Sequence, residues 1–157
     1  MSLRARTMRS LGRRAWFAAA GRRFGASLDR VLYRVTGGRV ASTVGVVPTM
    51  LLTTTGRRTG RARTTPVMYV PDGERFVVTS ENFGQQRPAA WPLNLVADPR
   101  ATVQVGSEVF ECRARRLDDT EADRYWPRLV EAWPAHEAYR ARSGTRRMFV
   151  LDPVRQK

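Results

Sequence analysis

The stretch Leu51-Leu52-Thr53-Thr54-Thr55-Gly56-Arg57-Arg58-Thr59-Gly60-Arg61-Ala62-Arg63-Thr64-Thr65-Pro66 constrains this chain more than any other segment. A β-branched run feeds a loop of glycines, threonines and arginines and resumes beyond it, the pattern of two strands joined at one end. Gly56 and Gly60 permit positive φ, so successive backbone N–H groups can point to one side. Arg57, Arg58, Arg61 and Arg63 place four guanidinium forks within seven positions. Two readings stay open on these residues alone: a cradle for an anion, or an ordinary solvated hairpin turn.

Composition limits the chemistry. A chain of 157 residues suits one domain with a full core. The single Cys112 forms no internal disulfide, and with the single His136 it leaves too few soft ligands for a zinc site. A reducing, cytoplasmic compartment and a metal-free protein follow as expectations, so hard chemistry must come from hydroxyls, carboxylates or an organic cofactor. The formal charge of +14 is uneven, because residues 1–40 hold ten arginines against Asp29 alone and so carry +9 of it. All basic residues except Lys157 are arginine, a compositional bias that makes spacing more informative than count. No run approaches the roughly 18 apolar residues of a membrane span. The Ala15–Ala20 run is too short for more than a weak signal-peptide core, and a transit peptide fits the bacterial-looking composition less well.

The expected domain organisation is a basic N-terminal arm with an amphipathic helix over residues 1–40, then a single β-rich domain over 41–157. Phe24, Leu28, Val31, Leu32 and Val35 fall at helical spacing before Gly37-Gly38, giving a face that suits the protein body, a partner subunit or an anionic membrane surface. Strands are expected over Met50–Thr55, Thr64–Val70, Arg75–Ser80, Ala101–Val105, Glu108–Leu117 and Met148–Leu151. Pro71-Asp72-Gly73 and Gly106-Ser107 read as tight turns, and Pro66 marks an edge or bulge. Helices are expected over Ala89–Ala97, from Thr120 as N-cap to about Val130, and as a short turn over Ala135–Arg142. This pattern specifies an α+β fold: an antiparallel β-barrel of about six strands with peripheral helices.

Five linked segments then resemble a known family: Leu52–Gly60, the following Pro66, Ser80-x-Asn82-Phe83-Gly84, Trp91-x-Leu93-Asn94-Leu95-x-x-x-Pro99 and Tyr125-Trp126-Pro127. In order and spacing, over about residues 45–153, they are similar to the deazaflavin-dependent nitroreductase and quinone reductase family. The resemblance implies a split, FMN-binding-like barrel that holds coenzyme F420, an 8-hydroxy-5-deazaflavin, with FMN the less expected ligand. It also implies hydride transfer from the reduced coenzyme to a quinone, nitro compound or activated alkene. Thr55, Gly56, Arg57, Arg58, Thr59, Gly60 and Arg63 would meet the coenzyme's phosphodiester and glutamate tail. Pro66, Val67 and Met68 would wall the ring, with Ser80, Asn82, Trp91 and Asn94 beside it.

Members that reduce nitro drugs tend to carry tyrosines at the positions of Trp133, His136 and Tyr139. These three are the expected substrate contacts here, and His136, Tyr139 and Ser80 the candidate catalytic groups. His136 has the chemistry to supply the proton that follows hydride addition, or it is a solvent-facing residue on its helix. A quinone dissolved in lipid would give the basic arm a reason to seek the inner face of the plasma membrane, and homodimerisation is compatible with the fold. Two other readings are a non-catalytic F420 or FMN carrier and a basic nucleic-acid-binding barrel. The second lacks aromatics interleaved with basic residues on its strands, so no nucleic-acid partner is expected.

Overall fold

A computed structural model describes residues 48–155; the expected arm and amphipathic helix lie outside the described residues. Six strands, β1 (Thr49–Thr55), β2 (Ala62–Asp72), β3 (Arg75–Ser80), β4 (Arg100–Val105), β5 (Glu108–Arg116) and β6 (Arg147–Pro153), close into an antiparallel barrel. The strand order is β1-β2-β3-β6-β5-β4, with β4 returning to β1. Three α-helices, α1 (Ala90–Ala97), α2 (Asp119–Ala132) and α3 (Ala135–Ser143), and a single 3-10 turn over Asn82–Gly84 complete the described residues.

The period of two explains why the centres of β3 (Phe76–Val78) and β6 (Met148–Leu151) are continuously apolar. Phe76 and Val78 on β3, with Phe149 and Leu151 on β6, point into the barrel beside Met50, Leu52 and Val103. The intervening Val77, Met148 and Val150 point outward, where they pack against Trp126 and Leu129 of α2. Both faces of these strands are therefore buried, and each full burial of such a side chain contributes about 1.5–3 kcal/mol.

Helix α2 starts earlier than expected. Asp118, not Thr120, is the N-cap: its carboxylate accepts from the Glu121 backbone N–H at 2.8 Å, and the Glu121 carboxylate accepts from the Asp118 N–H at 3.2 Å. A reciprocal carboxylate box satisfies two orphan donors, more than a lone threonine hydroxyl achieves. The helix is tied to the β2–β3 turn by the Tyr125 hydroxyl, which donates to Asp72 at 2.7 Å while Arg75 pairs with the same carboxylate. These contacts, Tyr125 first, hold the Asp72 carboxyl below its ordinary value. That turn is Gly73-Glu74, with Pro71 and Asp72 still on β2, because Asp72 is paired with Arg75.

Strand β2 changes partners along its length. Residues Ala62 to Met68 pair with β1, whereas Tyr69 to Asp72 pair with β3. Pro66, opposite Leu51, thus sits where one side of the strand carries no ladder, a local edge inside a closed barrel. The pairing therefore leaves a gap between the first part of β2 and the end of β3.

Candidate functional site

The loop between β1 and β2 is held by its own backbone and by one buried amide. Gly56 donates to the Arg61 carbonyl at 2.8 Å, and Gly60 donates to the Gly56 carbonyl at 2.8 Å. Gly60 has φ of 69°, as its sequence position suggests, but Gly56 is not among the positive-φ residues. A Cβ at Gly56 would lie 3.0 Å from Thr59 Oγ1 and 3.1 Å from the Arg61 oxygen, so a side chain there would press these neighbours aside by a few tenths of an ångström. Asn94 of α1 is buried; it accepts from the Arg57 N–H at 3.1 Å and donates to Thr54 Oγ1 at 3.1 Å. It staples the loop to the helix and to β1. Arg57, Arg58, Arg61 and Arg63 remain exposed, and among the described residues none of the four is ion-paired.

Beside this loop lies a cavity of about 330 Å³. β2 contributes Arg63, Thr64 and Thr65, then the apolar Pro66, Val67 and Met68. Ala89 and, from α1, Ala90, Trp91 and Asn94 form another part of the lining, with Thr54 of β1. The end of β3 supplies Thr79 and Ser80, and the following residues Glu81 and Asn82. Asn82 has φ of 45° and donates to Gln85 at 3.0 Å and to the Arg87 carbonyl at 2.7 Å, closing its own loop. Helix α3 brings His136 and Tyr139, whose rings meet edge-on at 6.5 Å.

Seventeen candidate positions from the sequence now have places. Ser80, Asn82, Trp91, Asn94, Arg63, Pro66, Val67, Met68, His136 and Tyr139 share one cavity, whereas Trp133 is not in its lining. Trp133 caps the C-terminus of α2, so it does not share a helix with His136 and Tyr139; it is buried against Ala135 and Tyr139. Thr55, Gly56, Arg57, Arg58, Thr59 and Gly60 also fall outside the lining, in or next to the loop at its side. His136 is only 4 % exposed, which removes the solvent-facing reading.

One buried group was absent from the sequence reading. Glu81, 3 % exposed, accepts from the Thr79 hydroxyl on Oε1, and its Oε2 lies 2.9 Å from His136 Nδ1. The available signal was a lone carboxylate directly after the apolar strand Phe76–Ser80, inside the Ser80-x-Asn82 segment. Cys112 takes no part: burial pushes its thiol up to about 11, leaving little nucleophilic thiolate at neutral pH. No cluster of three metal-ligating side chains occurs among the described residues, and no helix among them is long and apolar enough to cross a membrane.

Closed six-strand barrels with a slot beside one strand form the split-barrel class of flavin and deazaflavin reductases, and this chain has that architecture. A solved F420-H2 dependent reductase, FDR-A, is 29 % identical and superposes with a TM-score of 0.62 over 67 % of this chain and 94 % of its own. A structure described as a domain-swapped dimer is 27 % identical, with a TM-score of 0.61 over 80 % of this chain and 94 % of its own. The model of the F420H(2)-dependent quinone reductase family matches residues 27–153, and the chain belongs to that family. The F420H(2)-dependent quinone reductase Rv1261c of Mycobacterium tuberculosis is 33 % identical over 102 residues, 63 % of this chain and 68 % of the relative. The chain is thus an oxidoreductase whose cofactor is coenzyme F420.

Proposed function

We propose that this chain reduces a quinone at the expense of reduced F420, with the coenzyme ring in the split between β2 and β3. The observation that carries this reading is the pairing of a 330 Å³ cavity, apolar along Pro66–Met68 and Trp91, with four exposed guanidiniums that lack acidic partners among the described residues. A flat ring needs the first, and a phosphodiester with a glutamate tail needs the second. The close packing around Gly56 supports the fit because it brings the loop backbone close to Arg63. Bound there, the reduced coenzyme supplies a hydride, two electrons and one proton in a single transfer.

The protein's own contribution is placement. Pro66, Val67, Met68 and Trp91 exclude water from one face, and Ser80 lies where it can hydrogen-bond a ring or ribityl oxygen. Tyr139 and His136 border the space left for the acceptor, and His136 is the group placed to give a proton to it. Nitro compounds and activated alkenes are further candidate acceptors, and the basic arm of residues 1–40 suits peripheral contact with anionic lipid on the cytoplasmic side. The similarity to a domain-swapped dimer supports a homodimer.

Fluorescence titration of the full chain with oxidised F420 and with FMN tests the reading. Tight binding of the deazaflavin alone, followed by quinone-dependent oxidation of the reduced coenzyme, is expected. Binding of neither ligand, or binding without turnover of any quinone, would overturn it.

A further inference from the structure

Glu81 is an expensive residue where it stands. Its side chain is 2 % exposed and has no lysine or arginine partner among its ion pairs; its two oxygens are met by the Thr79 hydroxyl and by His136 Nδ1. A buried carboxylate needs such donors, and a histidine is a weak one unless it always presents a proton on the facing nitrogen. The geometry meets that need. Facing a carboxylate, which only accepts, Nδ1 carries the hydrogen toward Glu81, and Nε2 is the nitrogen left to exchange a proton.

Nε2 is also the nitrogen with access. The His136 side chain makes one hydrogen bond, to Glu81, and among the described residues the sealed side-chain atoms without partners are Trp133 Nε1 and Arg146 Nη1 only. Because His136 lines the cavity, its open nitrogen is reached from there. The ring is held on its flanks by Trp126 at 6.1 Å and Tyr139 at 6.5 Å between centroids, and its helix packs tightly on the 82–84 turn through Gly84 against Arg142.

We propose that Glu81 is a positioning residue for the reduction: with Thr79 it fixes His136 in the Nδ1–H form and aims Nε2 into the acceptor space as the proton donor. The inference rests on the quinone reductase reading for its acceptor. Hydride gain leaves a quinone as the hydroquinone monoanion, one proton short. The Nε2–H bond of the imidazolium then breaks, its electron pair stays on the ring, and a new O–H bond completes the hydroquinone. Water restores the proton to Nε2. The carboxylate of Glu81 stabilises the imidazolium before the transfer and keeps Nδ1 protonated after it.

The chain contains one histidine, so a long-range ¹⁵N–¹H spectrum of the full, coenzyme-free protein shows one imidazole without assignment. At a pH where the ring is neutral, the wild-type protein is expected to show the Nδ1–H tautomer, the minor form of a free histidine side chain. Glu81→Gln, whose amide oxygen still accepts, keeps it; Glu81→Met moves the ring to the Nε2–H form. With coenzyme and quinone, Glu81→Met lowers kcat about tenfold or more with little change in KM, and His136→Asn lowers it by about 10²-fold, the lower end for a lost general acid. A wild-type Nε2–H tautomer overturns the proposal, even if Glu81→Met does not fold. So does a Glu81→Met protein that loses thermal stability while keeping both tautomer and kcat, the result for a plain structural clamp. If no quinone is reduced but the Nδ1–H form is present and Glu81-dependent, the quinone reading fails and the positioning role stands.

Discussion

Replacing Asn94 with alanine separates two roles that a polar residue beside a ligand cavity can have. Asn94 is 3 % exposed and bridges the Arg57 N–H to Thr54 Oγ1, both at 3.1 Å. Deleting the amide removes two hydrogen bonds of about 1 kcal/mol each. The two orphans then differ: Arg57 is exposed, so its N–H regains water, whereas Thr54 is 2 % exposed and its hydroxyl regains less. A buried hydroxyl left without this partner adds to the loss, so the total is about 2–3 kcal/mol, a Tm decrease of about 5–10 °C for a domain of this size. The companion Thr54→Val removes the same hydroxyl. The double variant should therefore fall short of additivity by about 1 kcal/mol in urea denaturation. Coenzyme affinity falls as well, because binding must then order the loop, by about 1 kcal/mol or fivefold. Asn94→Ala with unchanged stability and strongly reduced affinity would refute the staple and make Asn94 a direct ligand contact. Additive behaviour with Thr54→Val would refute the bond itself.

Other outcomes follow from the same geometry. Arg58→Ala and Arg63→Ala should each weaken F420 binding a few-fold, with the double variant near the product and with smaller losses at high salt; equal affinity for all variants at low salt would remove the anion-binding role of the loop. Tyr125→Phe should cost up to about 1 kcal/mol near neutral pH, read from denaturation at a series of pH values. Because Tyr125 and Arg75 hold the folded Asp72 carboxyl below its ordinary 3.8, the wild-type advantage is fully present above that value and disappears as pH falls through the folded one. Asp72 in turn raises the Tyr125 phenol above 10.0, so the advantage also disappears at the alkaline end, as pH rises through the folded phenol value. A wild-type advantage that is flat across both ends would contradict this linkage.

Local rules carried the strands, the turns and the cationic loop. Short β-branched and aromatic runs such as Phe76–Ser80 identify a strand without reference to the rest of the molecule, and Gly60 and Gly106 mark backbone turns that few other residues can make. Where local signals compete, boundaries moved: Thr120 is a good cap in isolation, but Asp118 with Glu121 makes a better one. Trp133, His136 and Tyr139 have helical spacing, yet the chain breaks between α2 and α3 at Trp133-Pro134, which turns the tryptophan into the core.

What the sequence determined by itself was therefore a barrel-forming alternation and a cluster of arginines in a loop, because both depend on neighbours a few residues apart. Only the tertiary structure decided how the site is assembled. Asn94 meets Thr54 across 40 positions, and Glu81 meets His136 across 55, once the barrel has closed and α3 has docked beside the end of β3. Such contacts follow from strand pairing and helix packing over the whole domain, and no local period announces them.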